Sequence, residues 1–195
     1  MTLEGGAKRD PEFDDAVQGL RRGDFDALAP LFFTDPTRPT ELSRIVMWHA
    51  AGRFHSHPSA VAEALTCASF LGTTLVAQYL LQAGVDPTAG SGTGMDALHW
   101  AVNRGKNATV DLLLQWKAPL EVRNIHGTTV LGTAVWSALN EPRPQHMQII
   151  ETLLDAGASP ENIRPVASYV EGPFDEVQRQ RVERIETILV SRGAA

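Results

Sequence analysis

GMDALHWAVNRGKNATVDLLLQWKAPLEV, residues 94–122, is the stretch from which the rest of the chain can be read. Leu98, Ala101 and Val102 are spaced as one apolar stripe of a helix, and Val110, Leu113 and Leu114 as a second. Gly105 breaks the chain between them. Slid upstream by 33 residues, the pattern meets EALTCASFLGTTLVAQYLLQAGVDP, residues 63–87, without a gap. Leu98 then falls on Leu65, Ala101 on Ala68, Gly105 on Gly72, and Leu113-Leu114 on Leu80-Leu81. Slid downstream, Leu98 meets Leu131 and Gly94 meets Gly127, but the next leucine pair, Leu153-Leu154, comes 40 residues on. The seven extra residues fall near LNEPRPQ, residues 139–145, whose two prolines suit an extended loop. One pair of short helices cannot bury its own apolar face, so the copies must stack. The small side chains of Ala68, Ala101 and Ala134 let neighbouring helices approach closely.

These copies resemble ankyrin repeats, whose signature runs G-x-T-P-L-H-x-A-x-x-x-G before a second helix ending in paired leucines and Gly-Ala-Asp. The resemblance is good over residues 63–87, strong over 94–122 and good over 127–160. It implies an all-α solenoid of stacked helix-turn-helix pairs joined by hairpin-like loops and capped at both ends. In this register residues 10–36 form an N-terminal cap repeat, with Gly23 to Leu31 matching the interval from Gly72 to Leu80. Residues 37–60 are an insertion, in which Glu41–Ala51 has helical spacing and Thr40 suits an N-cap. Full repeats follow at 61–90, 91–123 and 124–162, the last with the loop 139–145 inserted. Residues 163–195 close the array with a helix from about Asp175 to Arg192, its apolar residues being Val177, Val182, Ile185 and Leu189. Atypical end repeats are expected where one side must face water.

Besides its insertions, the chain departs from the repeat pattern at two turns. Trp116-Lys117 stand where a small residue and a glycine usually follow the second helix, so a residue with a Cβ would meet positive φ at a cost of about 1 kcal/mol. A distorted hairpin is expected there. Pro58–Ala62 replaces a glycine-bearing turn before the first clear repeat, and its hairpin is likewise in doubt.

Composition narrows the function classes. The 195 residues are 43% hydrophobic, enough for one packed domain or two small ones, and carry a formal net charge of −6. An acidic chain repels phosphate backbones, which argues against nucleic acid as a partner. No window approaches the roughly 18 apolar residues of a membrane span, and the N-terminus has no apolar signal stretch. A soluble, cytoplasmic protein without membrane contact is the expectation. Cys67, the single cysteine, sits in an apolar helical run and reads as a buried, inert thiol.

Asp96 and His99 could be taken for half of a catalytic pair. In the register above, however, Asp96 is an N-cap whose carboxylate accepts from free amides of the first turn, and His99 bonds nearby backbone. Thr66 and Gly132 hold the places equivalent to His99, so no imidazole recurs. On the last helix, from about Asp175 to Arg192, Arg179, Arg181 and Arg184 alternate with Glu176, Glu183 and Glu186 as a solvated face, with Asp175 and Arg179 spaced for a surface pair. His49, His55 and His57 in the insertion offer the one candidate for metal-dependent chemistry, a remote alternative because no cysteine or nearby carboxylate completes a ligand set. No phosphate loop or nucleophile arrangement is present, so no catalytic residue, metal or cofactor is assigned.

The resemblance implies a non-enzymatic scaffold that binds another protein through loop tips and the exposed side of the first helices. Transferred copy by copy, that surface comprises Phe70, Leu71, Thr93, Met95, Asn103, Arg104, Arg123, Ile125, His126, Thr128, Trp136 and Ser137. It mixes aromatic, apolar and arginine side chains, as interface anchors do. Two of these readings have a rival: Phe70 and Leu71 packing under the insertion, and Trp136 buried by loop 139–145. A dedicated inhibitor or immunity protein for a basic toxin is the alternative within the same class.

Overall fold

The computed structural model describes residues 10–33, 42–90 and 92–193. They form ten α-helices and three short 3₁₀ turns, with no strand among the described residues. The helices are α1 (Pro11–Arg22), α2 (Phe25–Phe32), α3 (Arg44–Ala50), α4 (Pro58–Leu71) and α5 (Thr74–Gln82). They continue as α6 (Ala97–Asn103), α7 (Asn107–Gln115), α8 (Val130–Asn140), α9 (His146–Asp155) and α10 (Glu176–Ser191). The 3₁₀ turns span Arg53–Ser56, Pro160–Asn162 and Val166–Tyr169.

Each 33-residue unit folds as its pattern requires. Asp96 caps α6 by accepting from the His99 amide at 2.9 Å, and Thr129 caps α8 by accepting from Gly132 at 3.2 Å. The first helix of each of the first two repeats then stops at a glycine of positive φ, Gly72 and Gly105, and the next amide closes the turn. Thr73 N–H donates to the Ala68 carbonyl at 3.0 Å and Lys106 N–H to that of Ala101 at 2.8 Å. The N-terminal hairpin closes in the same way, through Gly23 and an Asp24 N–H donated to Gly19.

Helix α6 packs between α4 and α8, and α1 adds to this inner row on the far side of α4. Leu65, Leu98 and Leu131 are fully buried along it, and Ala68, Ala101 and Ala134 have no exposed surface, so the helices meet closely. In the outer row α5 contacts both α7 and α3, while α9 packs on α8 and α10 closes the other side of α8. Val182, Ile185 and Leu189 are buried on α10, whereas Val177 is exposed.

Several details differ from the sequence reading. The helix of the insertion is shorter than Glu41–Ala51: α3 begins at Arg44 and is capped by Ser43, which accepts from the Val46 amide at 3.3 Å. Thr40 and Glu41 lie outside the described residues. Pro58–Ala62 makes no hairpin. Pro58 starts α4, its fixed φ suiting the first helical turn, so this helix is six residues longer at its start than its counterparts α6 and α8. Glu63, in the place of the Asp96 cap, is therefore mid-helix and buried; it accepts from the Gly92 amide at 2.7 Å, and burial pushes its carboxyl above the usual range. The neighbouring loop passes so close to α4 that a β-carbon on Gly90 would collide with Thr66 Oγ1 and the Ala62 carbonyl.

The hairpin after α7 is not distorted. Lys117 adopts φ 57°, and Ala118 N–H donates to Leu113 at 3.0 Å, as Val85 does to Leu80 and Ala158 to Leu153. The backbone of the unit overrides the residue, at roughly 1 kcal/mol of left-handed strain. Helix α8 also runs on to Asn140 with Leu139 buried, so the inserted loop is only 141–145. On α10, Asp175 caps the helix through the Gln178 amide, and Arg179 pairs with Glu176 rather than with Asp175.

Candidate partner interface

The most exposed large apolar member of the expected surface sits on a tightly bonded loop between α7 and α8. Asn124 Oδ1 accepts from the amides of His126 and Thr128 and from the Thr128 hydroxyl, at 2.9 to 3.2 Å. Asn124 N–H donates to the Thr128 carbonyl, Gly127 N–H to Asn124, and the Arg123 guanidinium to the Gly127 carbonyl. Ile125 N–H donates to Gly94 on the preceding loop, joining the two tips side by side. From this frame Ile125 projects with 73% of its surface exposed, flanked by exposed Arg123 and His126 and by half-exposed Val122. Ile125 also leans across the other tip, where a β-carbon on Gly94 would sit 2.6 Å from its Cδ1. Thr93, Met95 and Thr128 are partly buried around it.

The inner-helix half of the expected surface needs correction. Phe70 is only 8% exposed, because α2 folds over it rather than the insertion. Phe25 of α2 stacks at 5.5 Å from Phe70 and 6.0 Å from Trp100, and those two rings are 5.1 Å apart. The Arg104 guanidinium then lies 4.4 Å over the Phe70 ring, leaving its stem half-buried. Leu71 packs partly against the core. Asn103 and Ser137 are buried and bond to each other at 3.1 Å, so they join adjacent units instead of facing a partner. Trp136 is half-buried, and the segment around Glu171 supports it. Its Nε1 donates to Glu171 at 2.9 Å, while Asn140 ties the same segment through Tyr169 and Glu171.

Asp96 and His99 hold an architectural site. His99 Nδ1 meets the Asp96 carboxylate at 2.9 Å and Nε2 meets the Thr128 carbonyl at 3.3 Å, linking α6 to the next loop. Thr66 makes the equivalent link to Gly90 at 2.7 Å. In the third copy Gly132 leaves room that Tyr169 fills, its hydroxyl 3.3 Å from where a β-carbon would stand. The histidines of the insertion do not converge. His49 Nδ1 meets the Tyr79 hydroxyl at 3.2 Å, His55 is exposed and His57 stacks near Phe13. Among the described residues no group of three or more His, Cys, Asp or Glu side chains could hold a metal ion.

A family model for ankyrin repeats in three copies matches residues 64–163, just over half of the chain. The chain belongs to the ankyrin repeat family. The matched span begins within α4 and ends just after the 3₁₀ turn 160–162, so it holds the three repeats and leaves out the N-terminal helices and α10. No curated protein matches the chain. Ankyrin repeats generally mediate contacts between proteins, and this one has no helix among the described residues long and apolar enough to cross a membrane.

The third ankyrin repeat carries a buried titratable group with a defined protonation state. His146 Nδ1 accepts from the Arg143 amide at 3.2 Å, so the ring proton is on Nε2, which donates to the Asn103 carbonyl at 3.2 Å. Burial pushes its pKa below the ordinary value, and the Arg143 charge adds to this. The native state thus binds fewer protons than the unfolded chain below about pH 6.5. Its contribution is fully present above that pH and is lost as the pH falls toward the lower folded value; His49, whose pKa burial also lowers, acts in the same direction. The urea midpoint should fall between pH 7.5 and 5.5, and His146→Gln should flatten that fall (both pH values lying about one unit either side of the free imidazole's). An equal slope in the variant would contradict the assignment.

Proposed function

We propose that the protein is a non-enzymatic interaction scaffold that takes a protein partner on the paired loop tips, with Ile125 as the anchor. The observation that carries this is a large apolar side chain held in water by a loop in which the five backbone amides from Asn124 to Thr128 are all bonded. A side chain so placed gives up little conformational freedom on binding, which is where much of the cost of association otherwise falls. Val122, Arg123 and His126 supply the surrounding apolar and polar contacts, and half-buried Trp136 and Arg104 extend the surface onto the inner helices.

Ile125→Asp should leave stability within about 0.5 kcal/mol, as for other exposed positions, while abolishing partner contact. A photo-crosslinking residue at position 125 should label a protein from native lysate that the same residue at Leu75 does not. Leu75 is the right comparison because it is 82% exposed on α5, in the outer row. Equal labelling from both positions, or none from position 125, would contradict the proposal.

A further inference from the structure

A second surface lies where the inserted loop 141–145 and the start of α9 face α10. They enclose an open cleft of about 550 Å³ into which Arg143, Arg181 and Arg184 all face, with Met147 and Val177 on its apolar wall. The protein is acidic overall, yet none of these three arginines is in an ion pair among the described residues, whereas Arg22, Arg44, Arg53, Arg179 and Arg192 each pair with a carboxylate. The frame around them is fixed. Pro142 and Pro144 restrict the backbone on either side of Arg143, buried His146 bonds its amide, and Gln178 Nε2 ties α10 to the Leu139 carbonyl at 2.9 Å.

The positive charge continues along one end of the solenoid. The stem of Arg143 lies over Gly105, whose β-carbon would stand 3.0 Å from Arg143 Cδ, so its charge neighbours Arg104 and Lys106. Lys106 in turn lies over Gly72, the equivalent glycine one repeat earlier, and Lys106 Cδ would be 2.7 Å from a β-carbon there. Burial lowers the Lys106 pKa, and the charges of Arg104 and Arg143 lower it further. Successive repeats therefore carry basic side chains on the same edge, each over the turn before it. With helices about 8–10 Å apart, a track crossing from Lys106 through Arg143 to α10 runs on the order of 20 Å. That is an extended shape, suited to a chain rather than to a compact ion.

We infer that this track binds an extended, acidic segment of a protein partner, with carboxylates against Arg143, Arg181 and Arg184 and apolar side chains against Met147 and Val177. Guanidinium groups suit this task because their donors match a carboxylate in pairs. The site shares no residue with the loop tip around Ile125, meets the proposed surface only near Arg104, and rests on separate observations.

The test uses the full chain and a fluorescein-labelled peptide of about eight residues alternating Glu and Leu, on the order of 26 Å when extended. Fluorescence anisotropy should report binding that a Gln-for-Glu peptide does not show. The double variant Arg181→Gln/Arg184→Gln, on the exposed side of α10, should weaken Kd by about two- to thirtyfold, since each exposed pair contributes up to about a factor of five. Lys106→Gln, one repeat away, should weaken it as well. Arg179→Gln, on the same helix but already paired with Glu176, should leave Kd unchanged, as should Ile125→Asp. Absence of binding, or equal loss in the Arg179 and Arg181/Arg184 variants, would overturn the inference. Displacement of the peptide by inorganic phosphate, mole for mole, would overturn it too by showing a compact anion site.

Discussion

Leu98→Ala should cost about 2–5 kcal/mol of stability, the range for truncating a fully buried leucine in a core that cannot collapse around the gap. Leu98 is 1% exposed on α6, between α4 and α8, and sits in line with Leu65 and Leu131 of the neighbouring repeats. Its loss would weaken two inter-repeat contacts at once. In a linear array, where stability is a sum of repeat and neighbour terms, damage to the central unit is more harmful than damage to an end. Urea unfolding followed by far-UV circular dichroism should give one transition at a lower midpoint, or two if the halves separate. A loss under about 1 kcal/mol would mean that α6 is not the centre of the stack.

The features that were legible from the chain are those that repeat. Asp96 as a cap, Gly72 and Gly105 as helix stops, and the Leu65–Leu98–Leu131 row all follow from one interval of 33 residues, because equivalent positions in a stacked array meet equivalent neighbours. The same logic held even where the residue was unsuitable, as at Lys117, which takes the glycine's conformation. Asn103 and Ser137, 34 residues apart, fall on the binding surface when the family's variable positions are transferred copy by copy, whereas in the fold they form a polar pair across adjacent repeats. The role of Tyr169 in filling the space at Gly132 had no local signal, since it comes from a turn outside the period. Nor did the basic track: Arg143, Arg181 and Arg184 are spread over 42 positions and meet only when α10 folds back on α8. On α10 the alternation with glutamates made the arginines look neutralised, yet Arg181 and Arg184 point into the cleft while Arg179 takes the glutamate.

Phe25→Ala should be the most informative change outside the repeats. Phe25 opens α2, is 2% exposed, and touches Phe70 on α4 and Trp100 on α6 through edge or tilted ring contacts. Truncating a buried phenylalanine costs about 3–5 kcal/mol, and each lost aromatic pair accounts for about 0.5–1.5 kcal/mol beyond the buried area. Because the ring bridges two units, the damage should not stay in the N-terminal hairpin. Amide exchange in α6 should accelerate along with that in α2, and Trp100 fluorescence should shift red before global unfolding. If α2 were only an end cap, the variant would fray residues 11–33 and leave α6 protected. That outcome would also return Phe70 and Trp100 to the open face of the solenoid, enlarging the surface available to a partner. The packing of Phe25 against both rings favours the first outcome: the N-terminal helices close part of the inner face, which leaves the Ile125 tip and the later repeats as the place for the recognition surface we propose.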